Sequence, residues 1–396
     1  MPALEFIVLA LAGTAATSPS LLLRGVSPDN TCGTTGNGGN PSAYTCPTDL
    51  PCCSVNGWCG SADEYCLTSN GCQSGFGTCH QDGSLPNVSG DDNSTSGTGL
   101  CGPDNGGTSC AANECCSAAG YCGTTPDHCK APDCLFQFGP ACDANKTPPG
   151  LNTSDIARTK LGQVEYGGPG IYSCVNPGDV ALTYDDGPAS YTDDLLDLLK
   201  KYNAKATFMV TGNNNAKGEI DNATFPWAST IKRMYTDGHQ IASHTWSHAD
   251  LCKITSAQRK NEMYKLEMAL RNILGVIPTY MRPPYSSCTA ECGCEDDMKD
   301  LGYSVIYFDL DTADYLHDSQ TEIQKSKDIV DQSIKAKPAP SDNFLVIGHD
   351  IHQQTVYNLT EYMLQKFQGR KLVTIGECLG DPKGNWYRTD ARTTLG

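Results

Sequence analysis

The chain has 396 residues, a net charge of −17 and 22 cysteines. That length holds two or three domains. The cysteine count excludes a reducing compartment, and the negative charge argues against nucleic acid and anionic membrane surfaces as partners.

In chain order, the first feature is an apolar run from Phe6 to Ala12, followed by small residues, with an A-x-A site at Ala10-Leu11-Ala12. Residues 1–18 are therefore expected to be a signal peptide, although the segment carries Glu5 and no Lys or Arg. No stretch is long enough to span a bilayer. The polar end, Thr389 to Gly396, shows no anchor-signal tail. Six N-x-S/T sequons, at Asn87, Asn93, Asn145, Asn152, Asn222 and Asn358, fit a secreted glycoprotein, extracellular or associated with a cell wall.

Sixteen cysteines lie between Cys32 and Cys142, in two blocks that repeat. Each block has an adjacent Cys pair, then Ser, then an aromatic-Cys-Gly: Cys52-Cys53-Ser54 leading to Trp58-Cys59-Gly60, and Cys115-Cys116-Ser117 leading to Tyr121-Cys122-Gly123. Such short, Gly-rich segments cannot surround a real hydrophobic core, so disulfides must supply the rigidity. Zinc ribbons are the competing reading, but their paired C-x2-C spacing is absent. The blocks define modules at 31–80 and 100–143. Between them, 81–99 is rich in Ser, Asn, Asp and Gly and reads as a flexible linker. A second polar stretch, 144–173, reads as another.

From Cys174 the texture changes to short apolar runs alternating with helical patterns, over a domain expected at 174–380 with a tail at 381–396. Strands are expected at Val180–Tyr184, Ala206–Thr211, Gln240–Ser243, Thr279–Arg282, Ser304–Phe308, Phe344–Gly348 and Leu372–Ile375. Helices are expected at Thr192–Asn203 and Ser256–Leu274. The second opens with the capping-box pattern Thr255-x-x-Gln258 and stops at Gly275. The alternation implies a parallel α/β fold, either an open sheet or a barrel.

Polar strings sit where those strands end, which is where parallel α/β proteins build their sites. Thr183-Tyr184-Asp185-Asp186-Gly187-Pro188 supplies two carboxylates, and Ser243-His244-Thr245-Trp246-Ser247-His248 supplies two imidazoles at i and i+4. One carboxylate and two neutral imidazoles make a facial set for a divalent metal with positions left open. The second carboxylate is then free to act as a base, which points to a hydrolase. Arg282-Pro283-Pro284-Tyr285, the string from Asp309 to Tyr315, and Leu345-Val346-Ile347-Gly348-His349 complete the set.

These five strings, in this order, resemble the motifs of NodB-type polysaccharide deacetylases, carbohydrate esterase family 4, across roughly Cys174 to Leu379. The resemblance implies a distorted (β/α) barrel preceded by the two small disulfide-rich modules. It makes Asp186, His244 and His248 ligands of one divalent ion, usually zinc, with cobalt the alternative. It implies Asp185 as general base, His349 as general acid, Arg282 as the residue holding the base, and Asp314 as the carboxylate tuning His349. Tyr285 would lend its backbone N–H to an oxyanion hole, and Ile347 would line the acetate pocket. The departures are Ile347 and Tyr315, where the family commonly has Leu and Trp. Tyr315, with Tyr191 and Trp227, is a candidate subsite wall.

The cysteine blocks resemble hevein-like chitin-binding modules. That resemblance implies bridges Cys32–Cys53, Cys46–Cys59, Cys52–Cys66 and Cys72–Cys79, then Cys101–Cys116, Cys110–Cys122, Cys115–Cys129 and Cys134–Cys142. It suggests that Cys174 and Cys378 clasp the domain ends. Two bridges are expected among Cys252, Cys288, Cys292 and Cys294, with the pairing left open. Ser54, Trp58 and Tyr65 match sugar-binding positions in the first module, where Asn56 replaces one usual aromatic. Ser117 and Tyr121 match in the second, which has Ala119 and His128 at the other two positions, so it is expected to bind more weakly. Together the resemblances imply a metal-dependent N-deacetylase acting on chitin or its oligomers to give chitosan and acetate, an architecture like that of secreted fungal chitin deacetylases. A monomer is expected. Deacetylation of peptidoglycan or xylan, and a non-catalytic protein that coats chitin, are the rival readings.

Overall fold

The computed structural model describes residues 27, 30–33, 44–47, 50–60, 63–79, 99–390 and 392. The expected signal peptide and all of the linker at 81–99 except Gly99 lie outside them. The chain divides into two units at Asn93/Ser94. All 22 cysteines are described, and they form eleven disulfides with none left free.

In the first unit, β1 (Cys52–Cys53) and β2 (Cys59–Gly60) form an antiparallel ribbon beside a one-turn helix, α1 (Asp63–Cys66). The bridges are 32–53, 46–59, 52–66 and 72–79. In the second unit, β3 (Cys115–Cys116), β4 (Cys122–Gly123) and α2 (Pro126–Cys129) repeat that arrangement, with bridges 101–116, 110–122, 115–129 and 134–142. Half-cystines form most of the small apolar cluster in each module, so covalent bonds replace a packed core.

The rest of the second unit is one nine-stranded parallel sheet flanked by helices. Its strands are β5 (Gly167–Ile171), β6 (Asp179–Asp185), β7 (Thr207–Val210), β8 (Gln240–Ser243), β10 (Tyr280–Met281), β11 (Ser304–Ile306), β12 (Leu310–Asp311), β13 (Phe344–His349) and β14 (Lys371–Val373). A separate antiparallel pair joins β9 (Ile277–Pro278) to β15 (Tyr387–Arg388). The main order is β12-β13-β6-β7-β8-β10-β11-β5, with β14 also on β6. β11 and β12 belong to one continuous stretch. Its first half pairs with β10 and its second with β13, so the chain itself curls the sheet into an incomplete barrel.

Period-two alternation sorts the side chains. On β6, Val180, Leu182 and Tyr184 enter the core beneath the helices, while Ala181 joins the inner cluster. Phe208 and Val210 of β7 likewise face outward, and Met209 inward. The outer layer contains α3 (Thr192–Lys201), α4 (Trp227–Thr236), α5 (Ser256–Leu274), α6 (Cys294–Leu301), α7 (Ile323–Ala336), α8 (Thr360–Lys366) and the short α9 (Ile375–Cys378). α5 has its capping box at Thr255 and a left-handed Gly275 at its C-cap, φ 76°.

The folded unit extends beyond the 174–380 limits expected from sequence. β5 lies before them, and residues 144–166 lie along α5 rather than hanging as a linker. α5 carries buried charges that require partners. Lys265 donates to the Ala144 carbonyl at 2.6 Å and Arg271 to the Leu151 carbonyl at 2.6 Å, while Arg158 forks onto Glu267 at 2.5 and 2.9 Å. The expected tail is also part of the domain, for Tyr280 donates to Asp381 at 2.6 Å and Arg271 to Asp390 at 2.7 Å.

Three bridges lie in this half of the unit: Cys174–Cys378, Cys252–Cys292 and Cys288–Cys294. The first closes a sequence separation of 204 residues. Replacing both of its cysteines with Ser should cost about 2–5 kcal/mol through the gained freedom of the unfolded chain. Denaturant unfolding of the variant against wild type measures this, and an unchanged midpoint would refute it.

Candidate active site

Parallel pairing of β6 with β13 is the geometric origin of the site. Its register sets Ile347 against Thr183 and His349 against Asp185. Two ionisable groups from positions 164 residues apart thus become neighbours at the end of the sheet. Asp185 is the last residue of β6 and keeps its inward direction. Asp186 turns into the left-handed region at φ 75°, so the adjacent carboxylates diverge.

Asp185 meets Arg282. The Arg282 guanidinium is 1% exposed and donates to Asp185 Oδ1 at 2.7 Å, Thr183 Oγ1 at 2.7 Å, the Tyr307 carbonyl at 2.8 Å and the Ile306 carbonyl at 3.2 Å. These contacts fix the Asp185 carboxylate and leave its Oδ2 3.7 Å from His244 Nε2.

Asp186 meets the two histidines. Its Oδ1 lies 3.1 Å from His248 Nε2 and 3.5 Å from His244 Nε2. His244 Nδ1 bonds the Arg282 carbonyl at 2.7 Å, which commits Nε2 to the centre. The histidine loop is not helical: Thr245 and His248 take left-handed conformations at φ 68° and 61°. Glu262 of α5 holds the loop, accepting from the Ser247 N–H and hydroxyl, both at 2.7 Å.

Burial pushes the His244 imidazole down to about 4 despite the attraction of Asp185, so the ring is neutral at pH 7. Burial opposes the charge on Asp186, but His248 and His244 outweigh it and hold the carboxyl well below its usual range. Asp186 Oδ1 is buried and accepts no hydrogen bond. An orphaned carboxylate oxygen facing two imidazole nitrogens is satisfied by a cation, and ligand atoms from these three residues all lie within 4.8 Å of one another. The donor set fits one divalent ion.

Across the cleft, His349 Nδ1 bonds Asp314 Oδ1 at 2.7 Å. Asp314 is fully buried and also accepts from the His349 N–H and the Thr355 hydroxyl, each at 2.7 Å. Burial opposes an imidazolium here, but the Asp314 charge and hydrogen bond outweigh it and raise His349 to about 10. The ring is a cation at neutral pH with Nε2 left for the cleft.

The cleft has a volume of about 420 Å³, and its lining includes Asp185, Asp186, His244, His248, Arg282, Tyr285, Tyr315, Ile347 and His349. Tyr285 is 60% exposed, and its ring packs edge-on against His248 at 4.7 Å. Tyr315, 49% exposed, packs edge-on against His349 at 5.5 Å. Of the three aromatics expected to wall subsites, only Tyr315 lies here. Trp227 Nε1 bonds the Lys217 carbonyl at 2.8 Å, and Tyr191 packs on Tyr357 at 5.8 Å; both are partly buried against the outer core instead.

Several residues of the site escaped the sequence reading. Phe308, Asp311 and His352 line the cleft; the only signal for His352 was its spacing of three from His349. Lys217 donates to the Asp186 and Gly187 carbonyls at 3.0 and 2.9 Å, which braces the left-handed turn. Gly187 is required by close approach, because a Cβ there would lie 2.1 Å from the Asp350 carboxylate. Nothing in the local sequence of Lys217 or Asp350 marks those roles.

The module residues repeat one motif. Ser54 accepts from the Trp58 N–H at 3.2 Å and Ser117 from the Tyr121 N–H at 3.2 Å. Gly60 lies against the Tyr65 ring, and Gly123 against the His128 ring in the same position. Trp58 is 43% exposed and presents an open ring face.

Residues 173–306 match the family described as "Polysaccharide deacetylase", and residues 100–142 the one described as "Chitin recognition protein". The chain is 44% identical over 239 residues to a chitin deacetylase of Colletotrichum lindemuthianum, covering 60% of this chain and 92% of that protein. It is 41% identical over 227 residues to a chitin deacetylase of Pestalotiopsis sp., covering 55% and 70%. The solved structure of the Colletotrichum lindemuthianum enzyme superposes with a TM-score of 0.53 at 42% identity, covering 56% of this chain and 96% of that one.

The Asp314–His349 pair predicts a pH signature in the metal-free protein. A cationic pKa raised from 6.5 to about 10 adds stability that is fully present below 6.5 and lost as pH rises through 10. Asp314→Asn should therefore destabilise at about pH 6, with the gap to wild type shrinking as the pH passes 10. Urea midpoints across that window provide the check; a constant gap would contradict the assignment.

Proposed function

This chain belongs to the polysaccharide deacetylase family, and on that premise we propose that it hydrolyses the N-acetyl groups of GlcNAc residues in chitin, releasing acetate and leaving chitosan. The observation that carries the reading is the register of β6 with β13, which flanks the Asp186–His244–His248 cluster with an anchored carboxylate and an imidazolium. The chitin-recognition module selects the polymer among acetylated glycans. Trp58 in the first module and Tyr121 in the second would stack on sugar faces, with Tyr65 beside Trp58 and the Ser54 and Ser117 hydroxyls bonding acetamido groups. With its disulfide content, the chain reads as a secreted monomer, with modules at 31–80 and 100–143 ahead of the barrel.

Asp186, His244 and His248 would hold the metal, with zinc the ion best suited to a carboxylate and two imidazoles. When bound, such an ion polarises the amide carbonyl and acidifies a water. Asp185 uses the carboxylate oxygen that Arg282 leaves open to take the proton of the attacking water. Arg282 aims Asp185 through its hydrogen bond to Oδ1. The Tyr285 backbone N–H would stabilise the oxygen on which charge develops. Ile347, paired with Thr183 across β6 and β13 and lining the cleft, would contact the acetyl methyl. His349, cationic through Asp314, donates from Nε2 to the amine nitrogen so that it can leave. The acid holds its proton at neutral pH because it lies beside the Asp314 carboxylate.

Asp185→Asn should lower acetate release from GlcNAc oligomers by about 10²–10⁴-fold, and chelation should abolish it until zinc is restored. Retained activity in either case refutes the mechanism; faster release from acetylated xylan or peptidoglycan refutes the substrate. In a pull-down on insoluble chitin, Trp58→Ala in the full chain should lower retention more than Tyr121→Ala. The reverse order would refute the ranking of the modules.

A further inference from the structure

We propose that the crevice between the second cysteine-rich module and the barrel is an extended subsite for the glycan chain, with the module serving as a fixed wall of the catalytic groove. The proposal rests on the reading of the cleft as a glycan deacetylase site.

The module is seated on the barrel by several bonds. The Asn215 N–H donates to the Ala131 carbonyl at 2.8 Å. Trp246 Nε1 and Asn213 Nδ2 both reach the Asp143 carbonyl at 3.4 Å, just past the last module cysteine. Lys265 donates to the next carbonyl, that of Ala144. Ala131 is 1% exposed. Trp246 lies between the two metal-binding histidines, so the module contacts the same loop that builds the centre.

Beside this contact is a cavity of about 470 Å³, lined by Asp133, Phe136 and Gln137 of the module and by Asp250, Lys253 and Tyr285 of the barrel, among others. That volume is within the range of about 300–1,000 Å³ typical of ligand sites. Tyr285 lines both this cavity and the catalytic cleft, so the two spaces adjoin at one exposed ring.

The lining combines an aromatic ring with carboxylates, an amide and an ammonium group. A pyranose needs that combination: an apolar face to stack on and partners for its hydroxyls. The chemistry of the cavity, and its place beside the cleft, point to one occupant, sugars adjoining the reacting residue on the same chain. Neither Ser117 nor Tyr121 lines the cavity, so this surface is separate from the face on which the module would capture chitin by itself.

The test measures kcat/KM for acetate release from the GlcNAc dimer and hexamer with the full chain. Phe136→Ala, and independently the double variant Asp133→Ala/Gln137→Ala at exposed positions, should each lower the hexamer-to-dimer ratio by about five-fold or more. If Phe136→Ala does not fold, the double variant decides. An active wild-type chain whose ratio is unchanged in the double variant overturns this proposal and leaves the deacetylase reading standing. A wild-type chain silent on every oligomer overturns the deacetylase reading and, with it, this one.

Discussion

The buried guanidinium of Arg282 is the interaction on which the barrel mouth depends. It binds a side chain and a hydroxyl on β6 and two carbonyls at the end of β11, while its own carbonyl orients His244. One residue therefore ties three strands and both halves of the site. Removing a partner from such a buried pair leaves an uncompensated charge, at a cost of about 3–5 kcal/mol. Structure and chemistry cannot be separated at this position, since the contacts that close the mouth also fix the Asp185 carboxylate.

A second constraint is conformational. Asp186, Thr245, His248, Tyr285, Ser286 and Ala313 all have positive φ, and all lie in the loops that form the site. Side chains with a Cβ take that region at a cost, which persists only where surrounding contacts over-determine it. Those contacts are identifiable: Lys217 and Thr211 on the Asp186 carbonyl, Glu262 on Ser247, Asp314 on His349 and the Tyr315 N–H. Rigid loops keep the ligand atoms close together while two carboxylates stand side by side in sequence.

Much of this was legible in the sequence, for a physical reason. Asp185, Asp186, His244, Arg282 and His349 each lie at or just past the end of an apolar run, with His248 four residues after His244, and a strand end can be read from such a run. The span of α5 followed from its caps. What pairs across the chain was not legible. The β6–β13 register, the grip of Glu262 on the histidine loop and the bracing by Lys217 depend on residues far apart in sequence. The segment at 144–166 reads as polar and therefore loose; its role became clear only once the buried charges of α5 needed carbonyls to bond. The open pairing of the four late cysteines resolved for the same reason, because spatial order and not spacing decides it.

The Cys174–Cys378 bridge brackets every residue assigned to the chemistry. A protease that cuts any loop between those two positions produces fragments that remain covalently joined at their far ends. The halves stay at high local concentration, and the interior sheet hydrogen bonds can hold them in register. Such a clasp turns a single cleavage from a loss of the domain into an opening confined to one loop.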